Sequence, residues 1–296
     1  MASSAKVGIV TVTYNSELVI EGFMNSLLAQ THKNFVLYVI DNQSQDNTLN
    51  KLTQYSNLLN MVVFNNSKNV GVATGNNQGI KRALADGCSH VLLVNNDTEF
   101  NDNLIEVLLD YMSDNKCDIT VPKMMYHDNP SLLWFAGGHL SAVRAYSSVH
   151  EGCDHIDQGQ FDTPRRITYA PTCCMLIKAD VFSVIGLMDE KYFIYYDDTD
   201  FCLRALRKNI QMHYVPTAVL THKVSSLTGG KHSKFALRYL TRNKVYYIRK
   251  NIAFPMSYIF LILFLFKIFF DYLYERDDRE IFEIKQRAFI EGFRMG

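Results

Sequence analysis

Strand, polar loop and helix recur four times within the first 110 residues, and that rhythm confines the chain to a doubly wound α/β sheet. Val7 to Thr13 is a short β-branched run followed at once by Tyr14-Asn15-Ser16, with Ser16 placed to cap a helix running to about Gln30. Phe35 to Ile40 ends in the turn-rich stretch Asp41 to Thr48. Met61 to Phe64 runs into Asn65 to Gly71, ahead of a helix expected to start near Gly75, and His90 to Val94 ends in Asn95-Asn96-Asp97-Thr98. All four polar loops follow the carboxyl ends of strands, the edge at which open α/β sheets bind ligands. Asn15, Asp41, Asn69 and Asp97 are therefore expected to gather in one crevice.

What that crevice binds is narrowed by what it lacks. No Gly-x-Gly-x-x-Gly follows the first strand and no P-loop occurs, so a bound diphosphate needs a positive partner other than a glycine cradle. A divalent cation held by Asp97, with Asn95 and Asn96 as neutral oxygen donors beside it, meets that need. Thirty basic residues balance 30 acidic ones, which argues against a non-specific grip on nucleic acid. Six cysteines without Cys-x-x-Cys spacing read as buried thiols in a reducing compartment. The N-terminal run lacks the apolar region of a signal peptide, so a cytoplasmic protein is expected.

Between Asp189 and Asp200 five carboxylates fall within 12 residues, divided by Tyr192-Phe193-Ile194-Tyr195-Tyr196. Carboxylates beside bulky apolar groups become desolvated and acquire pKa values suited to proton transfer. The same stretch also reads as a helix start, since Asp198, Phe201, Cys202, Ala205 and Leu206 keep helical spacing and Asp200 pairs in register with Arg204.

Elsewhere the pattern is less regular. Asp118 to Met125 is expected to be an edge strand, and Trp134 to His139 an aromatic turn that meets a sugar or else a hairpin packed on the core. Residues 150 to 166 read as a mobile polar loop without metal-ligand spacing, and Thr168 to Lys178 as a strand. Two short strands are expected around Pro216, with His222 at the end of the second, then a glycine-containing loop from Ser225 to Ser233 able to close over an anionic substrate. In the last 60 residues basic and tyrosyl side chains lead into an apolar segment, Pro255 to Phe270, of marginal length for a membrane span. Two readings stand: an element at an anionic membrane face, or a helical hairpin packed on its own domain or on a second subunit as a homodimer.

In order and spacing, Val-Thr-Tyr-Asn at 12–15, Ile-Asp-Asn-x-Ser-x-Asp at 40–46, Asn-x-Gly at 69–71, Asn-Asn-Asp-Thr at 95–98, the run 188–204, His222 and Arg242-Asn243 resemble glycosyltransferase family 2. The resemblance covers roughly residues 6 to 250 and is to the family's bacterial rhamnosyltransferase-like branch. It implies an α/β A-type glycosyltransferase fold over residues 1–235 and a C-terminal helical extension over 236–296. It also implies inversion at the anomeric carbon, a dTDP- or UDP-sugar donor, Mg2+ or Mn2+, and a glycan or lipid-linked glycan acceptor. Thr13, Asn15, Asp41, Asn69, Gly71, Asn76 and Asn96 would then serve the donor, Asp97 and His222 the metal, and Asp198 with Asp197 the catalytic step. This sequence departs from the family's pattern at Asn95, where an acid is usual, at Asp197 in place of Glu, and at Thr172-Cys173-Cys174. The other readings are a nucleotide-sugar-binding subunit without turnover, suggested by the lone carboxylate of 95–97, and a sugar nucleotidyltransferase.

Overall fold

The computed structural model describes residues 5–223 and 233–295. Its first half follows the expected rhythm: β1 (Val7–Thr13), α1 (Ile20–Ala29), β2 (Phe35–Asp41), α2 (Thr48–Thr53), β3 (Met61–Asn65), α3 (Val72–Ala85), β4 (His90–Val94), β5 (Thr98–Phe100) and α4 (Leu104–Asp114). Then come β6 (Ile119–Tyr126), β7 (Leu133–Phe135), β8 (Gly138–Ser141), β9 (Ser147–His150), β10 (Arg165–Ile167), β11 (Cys174–Lys178), α5 (Ala179–Ile185), α6 (Asp197–Arg207) and β12 (Met212–His222). Helices α7 (Lys234–Asn251), α8 (Met256–Leu273) and α9 (Arg279–Arg294) end the chain.

The main sheet runs β10-β12-β6-β11-β4-β1-β2-β3, with β5 added to β12 and β7 to β6. Strands β3, β2, β1 and β4 are mutually parallel, as are β6 and β12, while β11 runs antiparallel between β4 and β6. The chain lays β2 and β3 on one side of β1 and β4 on the other, which makes the gap between the ends of β1 and β4 the topological switch point. Asn96 bridges that gap by donating from Nδ2 to the carbonyl of Val12 at 2.7 Å.

The central strands are buried along almost their whole length, which explains their unbroken β-branched and aliphatic runs. Helix α3 can lie close on β1 because Gly75 and Gly79 face Val12 and Val10; a Cβ on Gly79 would sit 2.4 Å from Val10 Cγ1.

Several local expectations are corrected. Ser16 does not cap α1: its carbonyl accepts the N–H groups of Val19 and Ile20 in a preceding turn, and the helix begins at Ile20. Helix α3 starts at Val72, so Gly75 lies inside it. Strand β6 is internal, because β12 returns from far along the chain to pair with it. The two strands expected around Pro216 are one, β12, whose register against β6 shifts between Val215 and Val219 where proline offers no N–H. In the 168–178 stretch only Cys174–Lys178 is strand.

The polar segment 150–166, expected to be mobile, is tied down by the buried ammonium of Lys123, which reaches Asp157 at 2.7 Å and Asp162 at 2.5 Å. Trp134 belongs to β7, so the hairpin alternative describes it, although its ring also packs on His222. Of the expected closing loop, 225–233, only Ser233 lies within the described residues.

Replacing Gly79 with Ala is expected to force α3 away from β1 and to destabilise the protein by about 1–3 kcal/mol. Urea unfolding followed by circular dichroism would measure this as a lower midpoint with unchanged slope.

Candidate active site

At the ends of β1 and β2 one carboxylate organises the loop. Asp41 is 1 % exposed and accepts three hydrogen bonds: Thr13 Oγ1 at 2.8 Å and Ser44 Oγ at 2.6 Å on Oδ1, and the Ser44 amide at 2.9 Å on Oδ2. Asn15 is exposed, in a left-handed conformation at φ 50°, with its amide donating to Ser44 Oγ and its Oδ1 accepting from the Gln45 amide. Thr13, Asn15 and Asp41 thus form one cluster, as expected.

Asn69 closes the next loop, its Oδ1 accepting from the Gly71 amide at 2.9 Å and from Asn42 Nδ2 at 3.2 Å. Gly71 adopts φ 86°, and a Cβ there would lie 2.5 Å from the carbonyl oxygen of Phe193. Asn76 is buried on α3, but the asparagine that ties this helix to the acidic stretch is its neighbour Asn77. The Asn77 side chain donates to the Met188 carbonyl and to Glu190 and accepts from the Met188 amide, each at 2.9 Å.

Beyond β4, Asp97 and His222 come together although 125 positions separate them in the chain: His222 Nε2 lies 3.2 Å from Asp97 Oδ1. The pairing of β5 with β12, Thr98 opposite His222, sets that contact. Trp134 packs edge-on against the His222 ring at 4.5 Å between centroids, and the Lys223 amide donates to the Asp97 carbonyl at 2.9 Å. Among the described residues no three His, Cys, Asp or Glu side chains converge in a metal cage. One carboxylate and one imidazole remain, a donor pair that fits a hard divalent ion only where phosphate oxygens and water complete the shell.

The acidic stretch is a strained turn followed by a helix. Phe193 (φ 64°, ψ −57°), Tyr195 and Tyr196 all have positive φ, and the Ile194 amide donates to the Tyr192 carbonyl at 2.7 Å across Phe193. This is a γ-turn of the rarer, strained hand. Non-glycine residues in such conformations persist only where the surroundings impose them.

The surroundings here are α7 and the start of α3. The single amide of Asn243 donates to the carbonyls of Tyr192, Ile194 and Tyr195 at 2.9, 2.7 and 2.9 Å, and Arg242 Nη2 donates to those of Lys191 and Tyr192. From the other side the Val72 amide donates to the Phe193 carbonyl at 2.6 Å.

The turn delivers Asp197 and Asp198 to the first turn of α6. Burial and the adjacent Asp198 charge push the Asp197 carboxyl well above the usual carboxylate range, and its Oδ2 has no hydrogen-bond partner among the described residues. Burial also raises Asp198, but hydrogen bonds oppose the shift: Tyr169 donates to Oδ2 at 2.9 Å, and the Thr199 amide and hydroxyl donate to Oδ1. Asp197 is 4 % exposed, whereas Asp198 is the more exposed residue of the two.

The other three carboxylates have different work. Fully buried Asp200 meets Arg204 at 2.8 Å, the expected i,i+4 pair, and also Lys250 at 2.8 Å. Asp189 is buried enough to raise its pKa, yet Lys250, the Lys191 amide and Tyr246 hold its carboxyl below the usual range. Glu190 holds Asn77. Tyr169, Arg242 and Asn243 carry roles here that sequence reasoning did not assign. Arg242-Asn243 was visible as a dipeptide in an otherwise unremarkable helix, and nothing in the chain near Tyr169 signals its place.

The family model for glycosyl transferase family 2 matches residues 8–186. Among curated proteins, the dTDP-rhamnosyl transferase RfbF of Shigella flexneri is 26 % identical over 82 % of this chain and 79 % of its own length. An N-acetylglucosaminyl-diphospho-decaprenol L-rhamnosyltransferase of Mycobacterium tuberculosis is 24 % identical over 75 % of this chain and 77 % of its own. Among solved structures, that of GalNAc-T7 with UDP, GalNAc and Mn2+ superposes with a TM-score of 0.62 at 15 % identity over 85 % of this chain. The chain spans about half, 52 %, of that structure's length.

Replacing Asn243 with Ala leaves buried carbonyls of the turn unsatisfied and is expected to destabilise the protein by about 1–3 kcal/mol in chemical denaturation. Asp197 makes a separate prediction. The folded protein keeps a proton on this carboxyl at pH values where the unfolded chain, with a pKa of about 3.9, has lost it. The unfolded state therefore binds fewer protons, and stability falls as pH rises above about 4. In Asp197→Asn that fall should be shallower, as unfolding free energies measured from about pH 5 to about pH 8 would show.

Proposed function

The chain belongs to glycosyltransferase family 2, with the A-type glycosyltransferase fold, and from that premise we propose that it is an inverting, metal-dependent hexosyltransferase of polysaccharide biosynthesis. Its donor on this reading is dTDP-L-rhamnose, or otherwise a UDP-hexose. Its acceptor is a lipid-linked or growing surface polysaccharide, met at the cytoplasmic face of a membrane. The rhamnosyltransferase relatives support the sugar and the lipid-linked acceptor, and the UDP and Mn2+ of the structural neighbour support a nucleotide donor and a divalent ion.

The observation that carries the reading is the half-buried Asp198 carboxylate, held by Tyr169 and Thr199 at the start of α6. In the proposed reaction Thr13, Asn15 and Asp41 bind the nucleoside, while Asn69, Gly71, Asn76 and Asn96 shape the crevice around the rest of the donor. The residues that would hold Mg2+ or Mn2+ are Asp97 and His222. Bound there, the ion would offset the charge gained by the departing diphosphate. Asp198 removes the acceptor hydroxyl's proton as that oxygen attacks the anomeric carbon. One displacement inverts the centre, so no enzyme nucleophile is required. Asp197 partners the base: burial and the Asp198 charge keep a proton on Asp197, so the adjacent pair carries its negative charge on Asp198.

A second reading, a nucleotide-sugar-binding subunit without turnover, draws on the single carboxylate in Asn95-Asn96-Asp97. Assay of the purified protein on a panel of nucleotide sugars, with Mg2+ or Mn2+ against chelator, separates the two. The catalytic reading expects turnover that chelator abolishes, and binding without turnover would replace it.

Asp198→Asn is expected to lower transfer by about a thousandfold or more while leaving donor affinity within a few-fold, as removal of a general base should. Near wild-type turnover would overturn the assignment of the base. In Tyr169→Phe, Asp198 loses a bond that favours its ionised form, so the acidic limb of the rate–pH profile should move to higher pH. In Asp197→Asn the same limb should stay close to that of the wild type, because Asp197 already keeps its proton while Asp198 titrates.

A further inference from the structure

The function proposed above makes no use of α8, and the fold leaves most of that helix bare. Its buried positions, Ser257, Leu261, Ile268 and Asp271, form one narrow stripe. At 100° per residue, Tyr258, Ile262, Leu263, Phe266, Phe269 and Leu273 sweep about 140° of the circumference on the other side, and exposed Met256 and Leu265 widen the arc to about 180°. Each of those six is at least 51 % exposed save Phe269 at 49 %, and the charged side chain at the edge of this arc is Lys267. Met256–Leu273 has a mean hydropathy of 1.9 and is long and apolar enough to cross a membrane.

Its neighbour rules out crossing. Helix α9 runs back along α8, pairing Phe282 with Phe269 and Tyr272 and Phe289 with Phe264. It is clamped to α7 by Glu291 on Arg238 and Arg242. Seven of its 16 residues are Asp, Glu, Lys or Arg, so α8 cannot enter a bilayer end-on without dragging those charges in with it. A second copy of the chain is also a poor cover. One helix packing on another occupies an apolar stripe of roughly 100°, and the rest of a 180° arc would stay wet.

Charge selects among the surfaces that remain. Residues 234–294 carry twelve Lys and Arg against seven Asp and Glu, while the rest of this neutral chain carries eighteen against twenty-three. Lys267 at the edge of the arc and Arg276 just past the end of α8, two cations that share the single carboxylate of Asp271, have side chains 62 % and 74 % exposed, and the Lys244 ammonium lies 4.3 Å over the Phe264 ring. Tyr258 and Tyr274 stand exposed at the two ends of the arc, the amphipathic side chains that favour a membrane interface.

We propose that α8 lies in the plane of an anionic lipid bilayer, its apolar half sunk below the headgroups and its flanking cations on them, without spanning it. This docking is independent of the sugar chemistry. It fixes the orientation of the active site as well, because α7, which α9 clamps to the same unit, also holds the acidic turn through Arg242 and Asn243.

The test uses the full chain and a Leu263→Asp, Phe266→Asp double variant, both positions being solvent-facing and outside the site. The wild type should sediment with vesicles containing phosphatidylglycerol and bind about tenfold less to pure phosphatidylcholine. The double variant should lose binding while keeping its melting temperature and its affinity for nucleotide sugar. From cell membranes the wild type should be released by alkaline carbonate. Resistance to carbonate would overturn the in-plane arrangement in favour of a span. Failure to bind anionic vesicles, with a concentration-dependent dimer that the double variant abolishes, would overturn it in favour of self-association. Because nucleotide-sugar affinity is read separately, loss of docking and failure of the catalytic reading give different results.

Discussion

The donation of one buried amide, that of Asn243, to three carbonyls of a left-handed turn is the constraint on which the rest of the site depends. Phe193, Tyr195 and Tyr196 occupy positive φ, and each such residue costs about 1–3 kcal/mol that the surroundings must offset. Arg242 and Asn243 from α7, the Val72 amide at the start of α3 and the room left by Gly71 together outweigh that cost. The result is an abrupt entry into α6 with Asp197 and Asp198 in its first turn. Helix α7 is therefore part of the same packed unit as the sheet, with Val245, Tyr246, Tyr247 and Ile248 in the common core.

Electrostatics divides the five carboxylates by what faces them. Lys250 reaches both Asp189 and Asp200, and Arg204 adds a second cation to Asp200, so these two anchor α6 and α7 to each other. No ion pair within reach serves Asp197 or Asp198 among the described residues, and burial acts on them unopposed except through hydrogen bonds. A desolvated pair of like charges is expensive to the folded state and useful for moving a proton near neutral pH. Stability and chemistry thus pull on adjacent residues in opposite directions, and the cations on one side of the turn compensate for their absence on the other.

Much of this was legible in the chain. The four strand–loop–helix units lie in the sheet as read, since each strand announces itself by β-branched residues and each loop by Asn, Asp and Ser. The cluster of Thr13, Asn15 and Asp41 follows from two parallel neighbours ending at the same edge. The i,i+4 pair of Asp200 and Arg204 follows from helical spacing alone. Less legible were elements defined by distant partners. Strand β6 read as an edge because nothing within its own sequence reports that β12 will pair with it about 90 residues later. Segment 150–166 read as mobile because Lys123, which pins it, lies outside it.

The sequence by itself determined the order of elements, the polar edge of the sheet and the residue types that could serve a diphosphate and a proton transfer, because periodicity, turn chemistry and side-chain chemistry are local properties. Only the tertiary structure decided which carboxylates were neutralised and which were left desolvated. It brought His222 to Asp97, Tyr169 to Asp198 and Asn243 to the turn before α6. Those contacts join residues 125, 29 and about 50 positions apart, and a pKa or a strained backbone is set by what surrounds a group in space, not by its neighbours along the chain.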